Sequence, residues 1–175
     1  MSATRERTTA YPGEGAGLLV AFKTWRIVDD ELRSRFLDVA WPGPVLEADC
    51  YRDLPTAFRS SSPVLDAPHT PPHPRCSCGV HVELTPDLAA PKVDFRAVTG
   101  IVAVWGGALP APAGQVRAAS ARLCALGLYA HAGRRQRAAV ARIGAELEAD
   151  LIDARELQIA AEHYGNVLSP AAAGA

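Results

Sequence analysis

Val98-Thr99-Gly100-Ile101-Val102-Ala103-Val104-Trp105, followed at once by Gly106-Gly107, is the stretch on which the fold turns. It is apolar on both faces and rich in β-branched residues, so it reads as an interior strand and not as the half-solvated strand of an outer sheet. The glycine pair reads as a reversal ahead of Ala108-Leu109, and Val116 to Leu123 as the returning strand. The alanines of that return also permit a helix, but a strand suits its place beside an interior partner better.

Upstream, Leu18 to Ile27 is apolar and β-prone, Val28-Asp29-Asp30-Glu31 is turn-like, and Leu32 to Leu37 continues the pattern, which together predict a hairpin. Trp41-Pro42-Gly43-Pro44 interrupts the chain, because proline removes a ladder donor and glycine allows a tight turn. A short strand is expected over Val45 to Tyr51. In Cys78 to Leu84 the residues Cys78, Val80, Val82 and Leu84 alternate with Gly79, His81 and Glu83, the period of a half-buried strand.

Downstream the period changes. Between Arg134 and Leu151, Val140, Ile143, Leu147 and Leu151 fall on one side of a helix and Arg134, Arg135, Arg137 and Arg142 on the other. A second helix is announced by Asp153 with Glu156 three residues on, the spacing of a capping box. Leu157, Ala160, Ala161 and Tyr164 would form its buried stripe, and Gly165 would end it in a left-handed turn. The expected fold is α+β: a small, twisted, mainly antiparallel sheet or partly open barrel, two C-terminal helices and a long proline-rich loop. Residues 1–17 read as a flexible leader, 18–128 as a β-rich core domain, 129–168 as a C-terminal helical extension and 169–175 as a tail.

Composition supports a folded chain. Of 175 residues, 49% are hydrophobic and 21% charged, far from the charge-dominated composition of disordered proteins. The net charge of −1 provides no general positive field to draw the molecule onto nucleic acid or anionic lipid. No apolar run approaches the ~20 residues that span a bilayer, so no membrane association and no standard export signal are expected. A cytoplasmic protein is the resulting expectation, and its four cysteines then read as thiols or metal ligands in preference to disulfides. The abundance of Ala, Arg, Gly and Pro leans towards a bacterial source.

The chemistry concentrates in His69-Thr70-Pro71-Pro72-His73-Pro74-Arg75-Cys76-Ser77-Cys78-Gly79, with Cys50 upstream at the end of a short strand. Six prolines lie between Asp53 and Arg75, and a loop of that length is uncommon unless something ties it down. Zinc takes four tetrahedral sulfur or nitrogen ligands, and Cys50, His69, Cys76 and Cys78 would supply them, with His73 as the alternate to His69. Prolines stiffen such a loop and lower the entropy lost when it closes on an ion. The Cys-x-Cys spacing is tighter than that of common zinc knuckles. The alternative is that the cysteines are small buried hydrophobes beside a solvated loop.

Other residues invite weaker readings. Trp25, Trp105, His81 and Glu83 would mark a binding surface if exposed, although large aromatics are more often core and alternating polar residues more often a wet strand face. Cys124, in an apolar run, reads as a core thiol; a nucleophile there would need a base such as His131 beside it. The arginine face of the first long helix is interspersed with Glu146 and Glu148, as on a solvated surface.

These residues together resemble a family of uncharacterised small bacterial proteins. The match joins Trp25, Cys50, a His-x-x-Pro-x-x-x-Cys-x-Cys-Gly segment from His69 to Gly79, a Val-x-x-Trp-Gly strand from Val102 to Gly106 and a Gly-x-x-Arg-Ala return from Gly114 to Ala118. It covers residues 18 to 128, with a looser echo from Ala161 to Gly165. The resemblance implies a shared fold and metal cluster with His69, not His73, as the ligand, and implies no activity. Val80-His81 departs from it, where a bulkier apolar and aromatic pair is usual, so His81 gains no role from the match.

The first functional reading is a non-enzymatic binding or adaptor module with a structural zinc site, whose partner is another protein. The alternatives are a hydrolase or transferase that uses an open metal or Cys124, and a nucleic-acid-associated adaptor that uses the arginine face. Nucleic acid is the less favoured partner.

Overall fold

The computed structural model describes residues 18–35, 39–50 and 69–169. The elements run in the order β1 (Leu19–Val28), β2 (Glu31–Ser34), β3 (Val45–Glu47), β4 (Val80–Glu83), α1 (Ala90–Val93), β5 (Ala97–Ala111) and β6 (Gln115–Leu128). There follow α2 (Arg134–Glu146), β7 (Asp150–Asp153), α3 (Leu157–Tyr164) and β8 (Asn166–Val167). The eight strands among the described residues belong to one mixed sheet, as an α+β chain with a partly open barrel requires.

The long antiparallel pair of β5 and β6 is its spine. β1 lies antiparallel on the other edge of β5, from Leu19 opposite Val104 to Arg26 opposite Ala97. β4 pairs with β6 and touches β1 at one position, Phe22 opposite Glu83, so β1, β5, β6 and β4 make a ring that is only just closed. One face of this ring buries Ala21, Trp25, Val80, Val82, Val98, Val102, Val116, Leu123 and Leu126 together with Val140 and Ile143 from α2. Trp25 meets Trp41 edge to face, with ring centroids 5.2 Å apart. The opposite face places Val20, Phe22, Ile101 and Ala125 under Leu157 and Ala161 of α3. Each fully buried large side chain of this kind contributes about 1.5–3 kcal/mol.

The β1–β2 hairpin forms where it is expected. Val28 pairs with Glu31, and the two residues between them, Asp29 and Asp30, have φ of 48° and 65°, the left-handed pair of a type I′ turn. Of the expected strand Leu32 to Leu37, the described strand ends at Ser34, Arg35 is a turn residue, and residues 36–38 lie outside the described residues. The strand expected over Val45 to Tyr51 ends at Glu47. The proline-rich segment 51–68 also lies outside them.

Gly106-Gly107 is not the reversal. β5 continues through it to Ala111, because Trp105 pairs with Ser120 and Ala108 with Ala118, which leaves two glycines opposite the single residue Ala119. This is a bulge, with both glycines at positive φ, and a Cβ on Gly106 would lie 2.6 Å from that of Ala119. The turn comes instead at the 3₁₀ turn Pro112–Gly114. Val116 to Leu123 is strand as expected, and longer than expected.

The first long helix stops at Glu146, short of Leu151. The Ala149 N–H bonds the Gly144 carbonyl and Glu148 adopts φ of 55°, so the chain turns back and β7 runs parallel to β6 with Leu151 opposite Leu126. Leu151 is thus a strand residue, 41% exposed, and not part of a helical stripe. Asp153 caps the next turn by accepting from the Arg155 N–H, but Glu156 itself makes no cap bond. α3 buries Leu157 and Ala161 as expected and ends at Gly165, whose backbone is extended and not helical. A Cβ there would collide with the Leu18 carbonyl oxygen, since the chain runs straight into β8 alongside β1. No helix among the described residues is long and apolar enough to cross a membrane.

Candidate metal centre

β6 acts as a template for the site. β3 pairs with Ser120 to Arg122, and β4 pairs with Gln115 to Ala118 on the same strand, so the end of β3 and the start of β4 face each other across Ala119. Cys50 lies three residues past β3, beyond Ala48, whose N–H bonds the Ala119 carbonyl at 2.8 Å. Cys76 and Cys78 lie just before β4. The candidate ligands meet because two short strands add end to end to one long partner, an arrangement that only tertiary pairing can create.

The donor atoms of Cys50, His69, Cys76 and Cys78 all lie within 4.8 Å of one another. A tetrahedron with metal–sulfur arms of about 2.3 Å and a nitrogen arm of about 2.0 Å has edges of about 3.8 and 3.5 Å. The Cys50 and Cys76 sulfurs are 3.7 Å apart, and His69 Nε2 is 3.3 Å from Cys78 Sγ. None of the four cysteines is in a disulfide. The expected set thus converges on a volume the size of one ion, and the donor chemistry, three soft sulfurs and an imidazole, suits zinc.

His73 does not join the cluster. Its ring lies 4.8 Å from that of His69, and its Nδ1 accepts from the Arg75 N–H at 3.2 Å. Its carbonyl instead accepts from the Cys76 N–H, which tightens the turn that delivers Cys76. Gly79 has φ of 128°, and a Cβ there would lie 2.9 Å from Arg117 Cβ and 3.3 Å from Pro72 Cβ. The Cys-x-Cys-Gly order therefore has a physical cause: only glycine lets the loop pass so close over β6.

Two residues of the strands hold the loop from beneath. Arg117 is 7% exposed, and its Nη1 donates to the carbonyls of Cys76, Cys78 and His73, the latter two at 3.3 and 3.4 Å. His81, opposite Arg117 in register, donates from Nε2 to the Ser77 carbonyl at 2.9 Å. Burial pushes the Cys78 thiol up to about 12, helped by its hydrogen bond with Cys76, so without a metal this sulfur keeps its proton. Sequence reading did not single out Arg117, although the Gly-x-x-Arg-Ala segment contains it; nothing in the sequence shows that its acceptors lie some forty residues away.

Among the described residues, the remaining candidates do not come together as one reactive group. Trp25 is fully buried in the core and offers no surface, and Trp105 is half-buried at the β5 bulge. Glu83 accepts from the Thr24 hydroxyl at 3.1 Å, and burial raises its carboxyl above the usual range. Cys124 is the extra residue of a second bulge, since Ile101 pairs with Ala125 and Val102 with Leu123. Its thiol is half-buried and pushed up by burial, the opposite of an activated nucleophile, and the ring of His131 lies against Tyr129. On the arginine face, Arg137 bonds the carbonyls of Ala130 and Ala132, and Arg142 pairs with Asp30.

Comparison with known proteins returns no matching family model, no similar curated protein and no similar solved structure.

Proposed function

We propose that the protein is a cytoplasmic, non-enzymatic binding module whose Cys50, His69, Cys76 and Cys78 hold a structural zinc ion. The observation that carries the reading is closure: four protein donors lie within 4.8 Å of one another, enough to fill a tetrahedral ion and leave it no vacant position for substrate. The place of the site supports the same role. It joins the free ends of two strands that only three or four residues hold to β6, which is where a small sheet gains most from a staple. A reducing compartment keeps the three thiols available as ligands.

The partner in this reading is another protein. Phe95, 72% exposed with the Arg96 guanidinium over its ring, presents the aromatic and arginine chemistry enriched in protein interfaces. The arginine face is less suited to phosphate, because Arg137 and Arg142 are engaged within the chain. The metal reading is tested by elemental analysis of protein purified without chelator, with one zinc per chain expected. Metal-free protein, or a Cys76→Ser variant that melts unchanged, would overturn it.

A further inference from the structure

We infer that Arg117 is a positioning residue for the metal centre, one that sets its charge balance and so selects a divalent ion. The inference rests on the metal reading above and extends it to a residue outside the ligand set. Arg117 stands on β6, 7% exposed, and among the described residues no carboxylate forms an ion pair with it. The hydrogen bonds it makes run from one nitrogen to the carbonyls of His73, Cys76 and Cys78, the turn that carries two of the ligands, while Nε has no hydrogen-bond partner there. A buried cation without a counter-charge is costly. Three carbonyl dipoles offset part of that cost and leave a full positive charge beside the ligand cluster.

The centre supplies the missing charge. Three thiolates and a neutral imidazole around a dication carry a net charge of −1, which the guanidinium brings to zero. A monovalent ion would leave −1 and a trivalent ion +1 in a site where Cys76, Cys78 and Gly79 are buried and the effective dielectric is low. The same contacts fix geometry. By gripping the carbonyls on both sides of Ser77, Arg117 sets the separation of the two cysteine side chains, and His81 holds the Ser77 carbonyl between them. A guanidinium suits this task because its charge is held in a rigid plane, here with one nitrogen aimed at the cysteine turn. Residues that orient metal ligands in this way are worth about 10–100-fold in affinity.

The test compares the wild-type chain with Arg117→Gln and Arg117→Lys. Zinc affinity is read by competition with a chromophoric chelator, and the site by the visible spectrum of the cobalt(II)-loaded protein. Arg117→Gln should lose about 10–100-fold in zinc affinity and shift the thiolate-to-cobalt charge-transfer band while the tetrahedral bands persist, and Arg117→Lys should recover most of the affinity. If Arg117→Gln does not fold, Arg117→Lys decides alone, since the charge is retained and the wild-type contacts come from one nitrogen, which should keep affinity within about tenfold of wild type. A folded Arg117→Gln chain with unchanged affinity and spectrum would overturn the inference and leave the metal reading intact, as would Arg117→Lys binding no better than Arg117→Gln or falling outside that tenfold window. Wild-type protein that takes up neither zinc nor cobalt would overturn both.

Discussion

Replacing Cys50 with serine separates a metal tie from ordinary packing. Cys50 is only half-buried, so the loss of its sulfur leaves the two apolar clusters untouched. With metal bound, Cys50 and His69 close a span of about 20 residues, and chain-entropy arithmetic for a loop of that size gives about 3 kcal/mol of stabilisation. Zinc binding to unfolded cysteines would reduce the figure, which makes it an upper value. For a domain of this size, 3 kcal/mol corresponds to a fall of about 6–12 °C in Tm. The assay is thermal and urea unfolding of wild type and Cys50→Ser, each in zinc and in chelator. The difference should be near its full value in zinc and vanish in chelator, where both chains lack the tie; the four measurements form a cycle that isolates the metal-dependent part. An equal loss in both conditions would show that Cys50 contributes packing and not ligation, and no loss in zinc would remove it from the ligand set.

Gly100→Ala tests the β5–β6 spine: a Cβ there would collide with the Ala125 carbonyl and press on Trp25 and Leu126 at 3.1 and 3.2 Å, so urea unfolding should show a loss of about 2 kcal/mol or more. A loss below about 0.5 kcal/mol would mean that the two strands are less closely packed than described. Burial holds the Lys23 ammonium down to about 8, against a weaker upward pull from Glu83, while its Nζ donates to the His81 carbonyl. Between that value and the ordinary 10.5 the unfolded chain binds more protons than the folded one, so stability rises with pH across this window, by at most about 3 kcal/mol. Lys23→Met should remove that rise in urea titrations run on both sides of the window, and an identical pH slope in the two chains would refute the assignment.

Much of the architecture is legible in local pattern. The two-sided apolar run at Val98 to Trp105 marks an interior strand because burial on both faces leaves no reason for polar alternation. The Asp29-Asp30 turn and the alternation of Val80, His81, Val82 and Glu83 follow from backbone and pleat alone. The candidate metal cluster is also within reach of the sequence, since sulfur and imidazole crowded beside a proline-rich segment have few other uses.

The misreadings share one cause. Gly106-Gly107 carries the same local signal whether the chain reverses or bulges, and the outcome depends on the register of β6 opposite it. The helix read through to Leu151 has the right period, but the unpaired edge of β6 offers Asp150 to Asp153 a hydrogen-bonded partner that no window of sequence contains. Trp25 and Trp105 look alike as residues, yet one lies inside the ring of strands and the other at its rim.

From its sequence alone this chain determines an α+β fold, a β-rich core and a small pool of cysteines and histidines able to clasp a metal, because periodicity and side-chain chemistry are local properties. Only the tertiary structure decided that β3 and β4 meet end to end on β6, that His69 and not His73 turns inward, and that Arg117 lies beneath the cysteine turn. Those are matters of strand register and distance between residues far apart in the chain, which depend on how the whole sheet closes.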